Sequence, residues 1–235
     1  MARFTGAPPI VTDGLVFAVD AANYKSYPGS GTTWADLAGS SNTSLDNGPT
    51  FDSGNAGSIV FDGTDDKATS TLTSNTIFNS TFTVSTWFKQ TDTDNTTFPR
   101  LFDKADNGTD TNNGFSVFLY DSDGSDTDSV LYIKITNQPL QAGTLLFNVN
   151  TWYNVTIVFT EDNYKTYVNG GSVTTTSHGR SLSNITTSNG FVIANITDSN
   201  RPFEGNIAMT SIYNRELTQA ENTQNYNALK SRFSL

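Results

Sequence analysis

Short runs in which apolar and polar residues alternate at every second position recur along this chain, and that period admits little besides antiparallel β-sheet. In Phe82-Thr-Val-Ser-Thr-Trp-Phe-Lys89, Phe82, Val84 and Phe88 fall on one face while Thr83, Ser85 and Trp87 fall on the other. From Trp152 to Thr160 the same period sets Tyr153, Val155, Ile157 and Phe159 on a common face. Gly14 to Asp20, Phe115 to Tyr120, Val130 to Thr136 and Phe191 to Ile196 are further predicted strands. Glu161-Asp162-Asn163 makes a hairpin turn into Tyr164–Val168, and Asn169-Gly170-Gly171 supplies residues that tolerate positive φ for the next turn. Strands joined by polar turns, with helix only at the very end, predict two packed antiparallel sheets.

The C-terminal stretch reads as strand, turn, helix. Ile207, Met209 and Ser211 alternate with Asn206, Ala208 and Thr210, and Asn214-Arg215 makes the turn. Thr218 stands three residues before Glu221, the spacing of a capping box, and opens a helix expected over 218–233 with Tyr226, Leu229 and Phe233 on one face. Residues 1–13 form an N-terminal arm. At 235 residues the chain suits one sandwich domain spanning 1–235, because all-β sandwiches of this length do not need to divide.

Composition removes several functions. The net charge is −10 and the pI is near 4.3, the wrong sign for neutralising nucleic-acid phosphates or binding anionic membranes. The absence of cysteine excludes disulfides, thiolate nucleophiles and Cys-ligated zinc. No apolar run has the form of a signal peptide or the length of a membrane span, so a protein kept in solution without membrane insertion is expected.

Two constellations could carry chemistry. Asp121-Ser-Asp-Gly-Ser-Asp-Thr-Asp128 brings Asp121, Asp123, Asp126 and Asp128 together between two strands, and Asp103, Asp106 and Asp110 form a second acidic stretch. Calcium, which takes six to eight oxygen ligands, is the cation such loops suit, although Gly124 stands at the fourth rather than the sixth position of an EF-hand. The solvated alternative is an Asp-rich hairpin loop without an ion. Sugar binding needs an aromatic face beside polar hydrogen-bonding groups, and Trp87, Tyr120 and Trp152 are the candidate stacking residues. Strand aromatics in sandwiches also serve as core. His178, in a polar Thr-Thr-Ser-His-Gly-Arg stretch, has no nucleophile-elbow context and reads as a solvated loop histidine.

The wording Gly14-Leu-Val-x-x-x-Asp20-Ala-Ala-Asn23, Ser26-Tyr-Pro-Gly-Ser-Gly-Thr32, Trp34-x-Asp36-Leu37 and Ile59-Val-Phe-Asp-Gly-Thr-Asp-Asp66, with the C-terminal signature, resembles concanavalin-A-like (laminin-G-like) jelly-roll domains. The version resembled is that of tailed-phage structural proteins. Asn222 departs from it, standing where the family has an apolar residue. The resemblance implies a two-sheet jelly-roll sandwich with a short C-terminal helix. It also implies a virion structural role as a capsid decoration, fibre or tail-associated subunit. Its partners would be other virion proteins and host cell-surface glycans, within a homo-oligomer or symmetric assembly. Many laminin-G-like domains hold calcium at a rim of loops, which supports the acidic loops as ligands. Laminarinase-type relatives place catalytic carboxylates as Glu-x-Asp-x-x-Glu on one strand. That motif is missing here, and the four glutamates, Glu161, Glu204, Glu216 and Glu221, form no such set, so no enzymatic activity is expected. The alternative reading is a stand-alone carbohydrate-binding module dependent on calcium.

Overall fold

The computed structural model describes residues 8–93, 98–105, 113–121, 124, 126–136 and 138–235. Its strands, in chain order, are β1 (Leu15–Asp20), β2 (Thr33–Trp34), β3 (Thr43–Asp46), β4 (Thr50–Asp52), β5 (Ser58–Asp62), β6 (Lys67–Ser70), β7 (Phe82–Gln90) and β8 (Arg100–Lys104). They continue with β9 (Phe115–Tyr120), β10 (Asp128–Ile135), β11 (Gln138–Asn148), β12 (Tyr153–Phe159), β13 (Asn163–Val168), β14 (Gly171–Ser177), β15 (Val192–Ile193) and β16 (Glu204–Tyr213). A single-turn helix α1 (Asn75–Phe78) precedes β7, and α2 (Gln219–Leu229) closes the chain with a 3-10 turn over Lys230–Phe233.

Two antiparallel sheets result. The first runs β14-β13-β12-β7-β16-β5-β4, with β1 paired to the far half of β16; the second runs β11-β10-β9-β8-β15-β6-β3-β2. Register explains why the faces match. Between β7 and β12, Phe82 lies opposite Phe159, Val84 opposite Ile157 and Phe88 opposite Tyr153, so the apolar positions of both strands point into the sandwich together. Phe82 and Phe159 stack with ring centres 4.4 Å apart. From the second sheet Phe102, Phe115, Val117, Leu131, Ile133 and Phe147 complete the core between the layers.

The predicted Phe191–Ile196 strand shrinks to Val192–Ile193, because Ala194 turns away at a φ of 67°. β11 is not expected from a segment holding Pro139 and Gly143. It pairs β10 along the edge of the second sheet, with a register shift between Val130 and Tyr132.

The outer face of the first sheet is closed by the chain's own C-terminal segment. Thr218 Oγ1 accepts from Glu221 N–H at 3.3 Å and Glu221 Oε2 accepts from Thr218 N–H at 2.8 Å, the expected capping box. Hydrogen bonding from Arg215, at 2.7 Å, holds the Glu221 carboxyl down to about 2. Phe233 then lies on Trp87 and Trp152, with ring centres 4.3 and 4.6 Å away, and Tyr226 stacks on Trp87 at 5.6 Å. With Met209, Ala208 and Leu229 these side chains make a second apolar cluster outside the sandwich core. Polar residues line the same layer: Asn225 accepts from Val11 N–H at 2.7 Å and donates to Tyr213 Oη at 3.1 Å, tying the N-terminal arm to α2 and β16. Asn222 is buried there too, donating to the Thr218 carbonyl at 3.0 Å.

Removing residues 218–235 is expected to expose both tryptophans, lowering the melting temperature and shifting their fluorescence to the red. Phe233→Ala alone should cost about 3 kcal/mol by opening a cavity against two indoles. Unchanged melting and emission in both variants would show that this layer does not stabilise the sheet.

Candidate functional site

With the first sheet covered, the outer face of the second sheet is the other broad β-surface. On β9, Phe115, Val117 and Leu119 face the core, so Ser116, Phe118 and Tyr120 face outward; on β10 the outward set is Val130, Tyr132 and Lys134. Register sets these side chains in rows. Arg100, Phe118 and Tyr132 lie side by side across β8, β9 and β10, and Tyr120, Val130 and Leu146 lie side by side across β9, β10 and β11. The Arg100 guanidinium sits 4.5 Å over the Phe118 ring, whose neighbour Tyr132 stacks at 5.5 Å. Phe98, from the loop before β8, stacks on Tyr120 at 5.1 Å with the Arg201 guanidinium 5.4 Å from its ring centre. Phe98 and Leu146 are exposed, and Tyr120 and Tyr132 are half-buried. Arg100, Phe118 and Val130 are buried in these rows, so the accessible surface is an aromatic platform of Phe98, Tyr120 and Tyr132 with Leu146 and Arg201 at its edges.

The predicted site residues scatter around this platform. Tyr120 belongs to it. Trp87 and Trp152 do not: they lie 2% and 7% exposed beneath Phe233, and the Trp152 indole N–H donates to Asn55 Oδ1 at 3.1 Å, so neither indole offers a face to a sugar. Alternation places Trp87 on the outer face of its strand, but a segment more than a hundred residues away covers that face.

Among the described residues, Asp103 and Asp121 do not share a rim. The β8–β9 and β9–β10 connections sit at opposite ends of β9, since consecutive hairpins of a meander turn at opposite ends. Asp103, which pairs with Ser116, and Asp121 are therefore separated by five strand residues, about 17 Å. Asp106 and Asp123 lie outside the described residues. Asp121 is buried and organises its own loop, its Oδ1 accepting from Gly124 N–H at 2.7 Å and its Oδ2 from Asp126 N–H at 3.2 Å. Asp128 Oδ2 accepts from Thr127 Oγ1 at 3.4 Å. Among the described residues no three carboxylates converge at these positions; the three that do are Asp62, Asp65 and Asp66, which sequence reasoning did not single out as ligands.

Several other titratable groups serve the fold. Glu161 accepts from Leu182 N–H, and Glu216 pairs with Lys165. His178, expected in solvent, is buried at 8% exposure, with Nδ1 accepting from Arg180 N–H at 3.0 Å and Nε2 2.9 Å from the Thr160 carbonyl. Glu204 opens β16 beside Gly63 and Asp92 in a hollow of about 40 Å³, its carboxyl raised by burial and by Asp92 and Asp62. Beyond the edge strand β4, Tyr24, Tyr27, Pro28 and Phe51 line an open cleft of about 200 Å³, with Tyr24 78% exposed.

Asp103 carries an electrostatic load. It is 1% exposed, its Oδ1 lacks a hydrogen-bond partner among the described residues, and Arg100 Nε stands 4.0 Å away, the outer limit of an ion pair. Burial pushes its carboxyl up to about 6 against the pull of the Arg100 guanidinium. The unfolded chain releases this proton at about pH 4, before the folded chain does, so this group's contribution to stability falls as pH rises from about 4 to 6. Asp103→Asn should remove that loss and gain about 2–3 kcal/mol on the parent protein between pH 4 and pH 7 in denaturant titrations. Parallel stability curves for the two proteins would contradict it.

Residues 61–221 match the family model of the concanavalin A-like lectin/glucanases superfamily. No curated protein matches the sequence. Among solved structures, the binding domain of Paraclostridial Mosquitocidal Protein 1 superposes with a TM-score of 0.68 at 18% identity, over 92% of this chain and 52% of that one. Domain 4 of AbnA, a GH43 extracellular arabinanase from Geobacillus stearothermophilus solved in complex with arabinotriose, gives 0.65 at 17% identity, over 90% of this chain and 98% of that one. Trypanosoma rangeli sialidase in complex with 2,3-difluoro-KDN gives 0.67 at 15% identity, over 93% of this chain and 33% of that one. The chain thus spans about half of the mosquitocidal binding domain and a third of the sialidase. At such identities the likeness is one of fold. The family match covers more than half of the sequence and agrees with the two-sheet sandwich, so the chain belongs to the concanavalin A-like lectin/glucanases superfamily.

Proposed function

We propose that this protein binds glycans on the open end of its second sheet, without hydrolysing them. The observation that carries the reading is the platform of Phe98, Tyr120 and Tyr132, half-buried or exposed, with Arg201 against the Phe98 ring. A sugar ring has one apolar face and a rim of hydroxyls; the stacked Phe98–Tyr120 pair, with the Tyr132 ring edge-on beside it, offers an aromatic face to the first, and the two tyrosine hydroxyls offer partners to the second. Two proteins of similar fold are consistent with this use of it: the AbnA domain, which carries arabinotriose, and botulinum neurotoxin type C, which depends on interaction with two ganglioside molecules to enter cells. Glu161, Glu216 and Glu221 are engaged by a loop N–H, an ion pair and the helix cap, which supports binding rather than turnover.

The proposed setting is a virion. It rests on the sequence resemblance to tailed-phage structural proteins, in which the sandwich would serve both as a building block among copies and as the surface that touches host glycans. Light scattering that reports a monomer at all concentrations, with no association with virion proteins, would remove this setting and leave the binding module.

Glycan arrays followed by calorimetry test the binding. Tyr132→Ala and Phe98→Ala should each weaken it tenfold or more, about 1.4 kcal/mol, while Tyr24→Ala at the edge cleft leaves it unchanged. Loss of binding in Tyr24→Ala but not in Tyr132→Ala would move the site to the cleft. No retained glycan, or release of reducing sugar from a bound one above a buffer control, would overturn the proposal.

A further inference from the structure

We propose that Asp62, Asp65 and Asp66 form a calcium site that clamps the crossover between the two sheets. The crossover joins β5 of the first sheet to β6 of the second through residues 63–66, turning at Gly63, whose φ is 73°. One carboxylate oxygen from each of the three aspartates lies within 4.8 Å of the other two. Two oxygens bound to one calcium at about 2.4 Å stand at most about 4.8 Å apart, so this spacing is within the reach of a single ion.

The independent sign of a ligand is Asp66. It is 3% exposed, and its Oδ1 is buried with no hydrogen-bond partner among the described residues, while Oδ2 accepts from Asp62 N–H at 3.0 Å. A buried carboxylate oxygen left without a donor costs free energy, more so beside two further carboxylates. Among the described residues none of the three is in an ion pair, and the adjacent Lys67 spends its ammonium on the Thr197 carbonyl at 2.6 Å. Asp62 and Asp65 are exposed, which leaves room for water to complete a calcium shell of six to eight oxygens. The surrounding backbone is already braced: Asn47 donates to the Asp65 carbonyl at 2.7 Å and Asn195 to the Asp66 carbonyl at 3.1 Å.

Protein stripped with EGTA and titrated with calcium chloride tests the site without any sugar, so its outcome is separate from that of glycan binding. Saturable heat is expected by calorimetry, with a Tm rise of about 5–10 °C at calcium a hundredfold above Kd. The double variant Asp62→Asn, Asp65→Asn, altered only at exposed side chains, should keep the circular-dichroism spectrum and lose both signals. Asp126→Asn with Asp128→Asn, on the β9–β10 loop, should keep them. Equal melting in calcium and EGTA, or a rise that survives the first double variant, would overturn the site, and an equal rise in magnesium would overturn its assignment to calcium.

Discussion

The stacking of Phe233 on Trp87 and Trp152 decides which side of this sandwich can act. Those contacts close the outer face of the first sheet, so β7 and β12 are buried on both sides, and their outward polar residues must pair among themselves. They do: Ser85 bonds Thr156 at 2.8 Å, Asn154 donates to Ser85 Oγ and to the Thr86 carbonyl, and Thr83 donates to the Arg215 carbonyl. A strand with this pairing carries hydroxyls and amides inside without an energetic deficit. On the second sheet Arg100 and Phe98 cover Phe118, while Tyr120 and Tyr132 stay half-exposed, so there the protein presents its aromatic platform.

Much of the layer plan was legible in the sequence because period-two alternation reports one face of a strand directly. β7, β9, β12 and β13 lie where alternation and turn residues put them, and the Thr218–Glu221 box opens α2 as its spacing requires. What alternation cannot report is whether the other face meets water or a distant element. Trp87 illustrates this: its strand position is correct, and its availability to a sugar depends on Phe233. Short strands such as β2 and β4 escape because two or three residues show no period. The separation of Asp103 from Asp121 was deducible, since a single strand lies between the two turns.

The rim that joins the platform to the crossover is a mixed electrostatic surface. Asp62, Asp65, Asp66, Asp92 and Glu204 concentrate negative charge at the ends of β5 and β7 and the start of β16, while Arg201 and Arg100 bring positive charge to the aromatic side. Asn195 connects the two, donating to the Asp66 carbonyl and accepting from Arg201 N–H at 2.9 Å. Loop residues that look unremarkable singly are thus tied by the Asn195 side chain into one end of the sandwich.

The pairing of β1 with β16 also sets how the molecule bears tension. Leu15 lies opposite Tyr213 and Asp20 opposite Met209, so the strand nearest the N-terminus and the last strand are antiparallel neighbours whose outward-leading ends meet at one corner. Force applied along the chain from both sides enters that ladder at the Leu15–Tyr213 corner and loads its hydrogen bonds one after another, as a zipper rather than in parallel shear. Ahead of the corner stand the Asp13–Arg215 ion pair, the Val11–Asn225 bond and the bond from Gln224 to the Pro9 carbonyl. Together with the Phe233 stack and the Arg232–Asp20 ion pair, which hold the C-terminal segment down, these ties act as a mechanical latch that must be stripped before the β1–β16 ladder can peel.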